Sequence, residues 1–193
     1  MAFDTRNVLA GLGGLGNSFE LAWFSDQPVT LPTDATTALG AGFKSLGYVA
    51  ESGLNKQTNV QSTDISAYGS FSPIRTLITE EVRDFTVVGR ETNLVSLAIA
   101  SRQKLAAVTA TTGGAVAVTE GPARDVLYGA VFHATDGVNI IRHCLPSVRL
   151  IQENPEAIQK AANIEWGFTL RAYPDSSGVS VYSYYMLAGY GAS

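Results

Sequence analysis

The chain has one cysteine, Cys144, and two histidines, His133 and His143, among 193 residues. A single cysteine excludes an internal disulfide framework. It also leaves little for a metal. A zinc site needs three or four ligands, and His143 and Cys144 are consecutive in a predicted strand, so they point to opposite faces. Charge is sparse as well, 16% of residues with a net −4, where globular proteins usually carry about 25%. Proteins that grip nucleic acid through its phosphates show a basic face, and this balance is acidic. No apolar run approaches the roughly 18 residues that span a bilayer. The first residues lack the basic-then-apolar order of a signal peptide, so the chain is expected to be made and used in a cytoplasm, or assembled there and released by lysis. No nucleophile elbow and no placed base support Ser-His-Asp or Cys-His catalysis.

What is abundant is small and polar. Hydrophobic residues make up 46% and glycines number 19, a globular composition with enough length for one good core. Gly11-Leu12-Gly13-Gly14-Leu15-Gly16 matches the dinucleotide fingerprint letter for letter. That fingerprint works only where a strand feeds a turn at a helix N-terminus. Here no long helix follows and no βαβ alternation surrounds it, so the segment reads as a flexible arm. No cofactor is expected.

The periodicity is that of a β protein. Residues 1–42 read as an arm and irregular segment with a possible strand over Ser18–Ser25, and Thr33 or Asp34 is placed to cap a short helix before Leu39. Ser72–Arg90 reads as a long strand opened by Pro73, with Leu77, Phe85 and Val87 on one face and Ile78, Val82 and Val88 on the other. Glu80 and Asp84 share a face of that strand, whereas Glu80 and Glu81 face opposite ways and cannot form a shared acid–base pair. At Thr92-Asn93 the spacing changes to that of a helix of about three turns, with Leu94, Leu97 and Leu105 as its core side and Arg102 and Lys104 facing its C-terminal dipole.

A short strand is expected at Ala115–Thr119. Asp125–Ala134 and Val138–Leu150 flank Asp136-Gly137, a hairpin signal. Ile164, Trp166, Phe168, Leu170 and Ala172 alternate with polar residues in the clearest half-buried strand, with Trp166, Phe168 and Leu170 as its core. After the Pro174–Gly178 turn, Val179–Leu187 is expected to return as its antiparallel partner. Tyr182, Tyr184 and Tyr185 lack basic neighbours and read as core and interface aromatics rather than base-stacking platforms. The residues thus give a mainly antiparallel β-sandwich or barrel with one packed helix over 43–188, ending in a tail at 189–193.

Three segments carry a resemblance. The first is Leu46-Gly47-Tyr48-Val49-Ala50-Glu51-Ser52-Gly53-Leu54 with Ile65-Ser66-Ala67-Tyr68-Gly69, Arg75-Thr76-Leu77-Ile78-Thr79-Glu80-Glu81, Phe85-Thr86-Val87 and Glu91-Thr92-Asn93. The others are Arg142-His143-Cys144-Leu145-Pro146 and Ala172–Tyr182. In this order, over roughly two thirds of the chain, they resemble the major tail (tail tube) proteins of long-tailed, non-contractile bacteriophages, especially those of actinobacterial hosts.

The resemblance implies a structural virion protein without catalysis, with the fold of phage and type VI secretion tubes. It implies a homo-oligomer of six-subunit rings stacked into a helical tube, assembled in the host cytoplasm. The partners it implies are tape-measure, tail-tip and terminator proteins, with DNA passing through the lumen unbound and no membrane. Glu80 and Asp84 are then candidates to face the lumen. The arm and a loop from about Glu51 to Gln61, with Glu51, Asn55, Lys56 and Gln57, are candidates for ring stacking. The chain departs from the family in its Gly-rich arm and in having no immunoglobulin-like domain before Ser193. The alternatives are another ring-forming tail component such as a terminator, or a small-ligand-binding β-barrel.

Overall fold

Eight antiparallel strands and one helix make up the fold of the computed structural model, which describes Gly11, residues 20–160 and residues 162–188. The rest of the Gly-rich arm and the 189–193 tail lie outside the described residues. The strands are β1 (Ala22–Asp26), β2 (Lys44–Ser45), β3 (Val49–Ile65), β4 (Arg75–Gly89), β5 (Tyr128–Asp136), β6 (Asn139–Glu153), β7 (Trp166–Tyr173) and β8 (Tyr182–Met186). They form one sheet in the order β2-β1-β5-β6-β7-β4-β3, with β8 on β6.

The two edge strands of this order, β2 and β3, are separated by only Leu46, Gly47 and Tyr48. The four Cα–Cα steps from Ser45 to Val49 span at most about 14 Å, so the sheet must curl until its edges nearly meet. Leu46, fully buried, closes that seam against Gly89, where an added Cβ would come within 3.3 Å of the leucine side chain. Across the interior, Phe85 of β4 stacks on Phe132 of β5 at 5.5 Å between centroids. The core is therefore a flattened sandwich filled by Phe24, Phe85, Val87, Tyr128, Phe132, Leu145, Leu150, Phe168 and Leu170. Trp166, Phe168, Leu170 and Ala172 are all buried, as the alternation along β7 predicts.

Helix α1 (Leu94–Ala100) caps the sandwich. The Asn93 carboxamide accepts from the backbone N–H groups of Val95 and Ser96, the Ser96 hydroxyl accepts from the Asn93 N–H, and Asn93 Nδ2 donates to the Leu46 carbonyl. The helix is two turns, shorter than the spacing suggests. Arg102 takes a positive φ of 54° and turns its guanidinium to the Leu150 carbonyl instead of serving the helix C-terminus.

The buried side of the helix is also displaced from the expected one. Val95, Ser96, Ala98 and Ile99 are buried, Leu94 and Leu97 pack only at the margin, and Leu105 reaches the core from a separate 3-10 turn (Leu105–Ala107). We therefore expect Ile99→Ala to cost about 2–5 kcal/mol as a buried cavity. Leu97→Ala should cost about 1 kcal/mol, since only part of its surface leaves water. Urea titrations of the two variants check the order.

Four further elements differ from expectation. Glu51–Gln61 is not a loop but the middle of β3, paired with β4 residue by residue from Leu54↔Val87 to Ile65↔Arg75 around one bulge. The Asp34 carboxylate accepts from the backbones and hydroxyls of both Thr36 and Thr37, which fixes a turn where a helix was expected. Ala115–Thr119 forms no strand, only an Ala110↔Val116 bridge. In the β5–β6 hairpin the two loop residues are Gly137 and Val138, flanked by the Asp136↔Asn139 pair, one position beyond the Asp136-Gly137 signal.

The largest topological difference is β8, which pairs with β6 and not with β7. Residues 140–144 of β6 carry β8 and residues 147–153 carry β7, so the two strands lie end to end along one edge of β6. The turn between them is held by Asp175. Its carboxylate accepts from the Ser177 and Val179 N–H groups and from the Tyr182 hydroxyl.

Candidate functional site

Lateral rows across β3, β4, β7 and β6 define a polar sheet face. Register places Asn55, Thr86, Thr169 and Gln152 in one row and Gln57, Asp84, Arg171 and Arg149 in the next. The core-facing rows run between them, as Lys56–Phe85–Leu170–Leu150. On the polar face Arg171 grips Asp84 with two bonds of 2.8 and 3.0 Å. The two threonine hydroxyls meet at 3.2 Å, and Gln57 donates to Asn59. Arg149 pairs with Asp125 and lies over the Tyr173 ring at 4.9 Å. The Asp84 hydrogen bond holds Arg171 above its ordinary pKa, and the field of Glu80 acts in the same direction. Glu80 and Asp84 thus belong to one polar surface, and the charge of Asp84 is matched by Arg171.

β4 leaves β7 at Arg83, but its pairing with β3 continues to Arg75. The distal hairpin is a two-stranded ribbon with both edges open among the described residues. Its turn is ordered by Ser70 N–H to the Ala67 carbonyl and Ile74 N–H to the Ile65 carbonyl. Yet Tyr68 and Phe71 stand fully in solvent at 110% and 108% exposure, beside exposed Ile65, Ile74 and Ile78.

The sequence points to these segments without showing which residues form the tip. Glu51, Asn55, Lys56 and Gln57 sit on the stem instead. Lys56 Nζ lies 5.9 Å from the Phe85 ring centroid, and Glu51 lines a cavity of about 370 Å³ together with Leu54, Phe132 and His143.

Each histidine has a side-chain partner within the fold. His133 and His143 lie on opposite faces: His143 Nδ1 meets the Ser183 hydroxyl at 2.8 Å, and His133 Nδ1 accepts from Arg142 Nε at 3.0 Å. Arg142 is fully buried and its Nη1 donates to the carbonyls of Asp34 and Thr37, pinning the 34–37 turn onto β6. Cys144 is buried, and burial pushes its thiol up to about 11. Among the described residues no group of three His, Cys, Asp or Glu is placed to hold a metal. No described helix is long and apolar enough to cross a membrane.

Burial lowers both histidines to about 4, aided by Arg142 at His133 and by Lys56 at His143. Both groups are neutral in the fold and take up protons on unfolding below their ordinary value of 6.5. Stability is therefore complete above that value and falls as pH drops toward 4. We expect the urea midpoint to be level above about pH 7 and to decline below it, with up to about two protons taken up on unfolding. A His133→Asn/His143→Gln variant should flatten the decline between pH 6.5 and 4.

No protein-family model matches the sequence, and no curated protein matches it.

Proposed function

We propose that the chain is a tail-tube subunit: a structural virion protein whose copies close into six-membered rings that stack into a hollow tube for phage DNA. The observation that carries this reading is the β3–β4 ribbon. A two-stranded hairpin is marginal in water, and this one holds open edges and a bare aromatic tip outside the sandwich. A second copy supplies what it lacks. The outer edge of β3, 17 residues long, has no strand partner among the described residues and is a template for the next subunit in a ring. The polar face of β3, β4, β7 and β6 then lines the lumen, where neutral amides, threonines and matched ion pairs offer duplex DNA no basic surface to grip. The distal ribbon, not the stem residues Glu51 to Gln57, is the ring-to-ring contact.

Negative-stain microscopy with light scattering tests the reading, on the concentrated protein and with a tail-tip complex added. Rings or tubes are expected, and a strict monomer under both conditions would sink it. The 370 Å³ cavity lined by Leu21, Leu54, Phe132, Ile141 and His143 favours a second reading, a small-ligand barrel. That reading expects a monomer whose melting temperature rises with an apolar ligand.

A further inference from the structure

Resting on the tube reading, we infer that the hairpin tip, Tyr68 to Arg75, seats in a particular groove of a second copy. The groove lies at the far end of the sheet, where β6 ends, β7 begins and α1 stops. Its apolar wall is Ala100, Pro155, Trp166 and Phe168, and its rim carries Glu120, Glu153 and Glu156, with a volume of about 380 Å³. None of these three carboxylates has an ion-pair partner among the described residues.

Position supports the match. Trp166 pairs with Gly89, the last residue of β4, while the tip ends at Arg75, the first. At about 3.4 Å per residue the two lie roughly 45–50 Å apart along the same strand. A tip at one end of a subunit cannot reach its own groove at the other. It can reach the groove of a copy placed ahead of it along the strand direction. Because tip and groove are different surfaces, the contact is heterologous and repeats without closing, as stacking requires.

Chemistry supports it as well. The tip offers two bare aromatic rings, exposed Ile74 and the exposed Arg75 guanidinium. Aromatic anchors with arginine are the usual composition of an interface hot spot. Apolar rings fit the Trp166–Phe168 wall and the guanidinium fits the acidic rim, where a carboxylate presents matched acceptors. A lipid surface would take the aromatics but would leave an acidic groove at the opposite end without a role.

The test uses the full chain. Tyr68→Ser/Phe71→Ser removes the tip, Glu153→Lys/Glu156→Lys reverses the rim, and every altered side chain is solvent-facing, so folding is checked by unchanged circular dichroism and melting. Each variant should raise the concentration needed for tube assembly by about thirtyfold or more, the size of one lost hot spot. Mixed after each has closed into rings of its own, the two variants retain one good tip and one good groove, so they should form a capped two-layer species in sedimentation velocity and nothing longer. Phe71→Cys/Glu156→Cys should give a ladder of disulfide-linked oligomers on oxidation, which buried Cys144 does not. Wild-type tubes with unaffected rim variants and no ladder would overturn the groove assignment alone. A wild type that never assembles would overturn the tube reading and this inference together.

Discussion

Arg142→Ala should lower the stability of the folded chain by about 3–5 kcal/mol, the scale of a large side chain cut back to alanine in the core together with a buried acceptor that loses its donor. The guanidinium is fully buried and serves three acceptors, His133 Nδ1 and the carbonyls of Asp34 and Thr37. Its removal leaves the buried His133 Nδ1 without a donor, at about 1–3 kcal/mol for a group with no replacement, frees the part-buried carbonyls of Asp34 and Thr37, and opens a cavity behind the 34–37 turn. Against this stands the cost of burying a guanidinium among neutral partners, which keeps the expected loss below the simple sum. Burial already holds Arg142 below its ordinary pKa, with Cys144 and Asp34 acting against that shift. Arg142→Lys should recover part of the loss, because a single ammonium cannot reproduce the planar fork. Urea unfolding measures both variants, and amide exchange at Thr36 and Thr37 should quicken in the alanine form. A loss under about 1 kcal/mol would mean that the turn holds itself in place.

On the proposed tube reading, Glu80→Lys/Asp84→Lys should leave tubes that retain duplex DNA at low salt and release it as salt rises. The substitution turns two negative charges into two positive ones on the face that also carries Arg149 and Arg171. Duplex DNA presents one charge per roughly 1.7 Å, and a basic wall holds it through counterion release. Because Asp84 is gripped by Arg171 and its side chain is only 12% exposed, the variant also loses that ion pair and sets two cations side by side, a structural cost that melting of the free subunit measures separately. Asp84→Asn separates the two effects, since it breaks the pair without adding a basic group. Double-lysine tubes that assemble and pass DNA like wild type would place this face on the outside of the tube.

The parts of the fold that could be read in advance are those where burial alternates. β7 shows this best, since every second residue from Trp166 to Ala172 enters the core and the period alone identifies it. β3 gives no such signal. Val-Ala-Glu-Ser-Gly-Leu-Asn-Lys-Gln-Thr-Asn-Val-Gln-Ser-Thr-Asp-Ile has few apolar residues because most of the strand is held by pairing with β4, with water on both faces. The cue that was present is the matching length of polar, Thr-rich chain on either side of Ala67–Pro73, the mark of a long hairpin.

Partner choice was equally hidden. A turn such as Pro174–Gly178 ordinarily returns a strand beside its predecessor, but β6 is long enough to take β8 ahead of β7 on the same edge. Nor does composition reveal that Arg142 is buried, because arginine is almost never fully buried without a partner. Period-two alternation puts Glu80 and Asp84 on one strand face, but nothing in the sequence shows that Asp84 is half-buried and gripped by Arg171. Tyr68 and Phe71 were visible only as aromatics beside turn residues.

The seven residue pairs between β4 and β7 also decide how the molecule bears force. Tension on the ribbon pulls β4 along its own axis, parallel to the strands and across the direction of their hydrogen bonds. Every bond of that ladder is then loaded at once, in shear, and none can be peeled open before its neighbours. Bending the ribbon out of the sheet would load the bonds one after another from Arg83. A subunit built in this way resists stretching more strongly than flexing, so a column of such subunits would be stiff along its length and yielding to curvature.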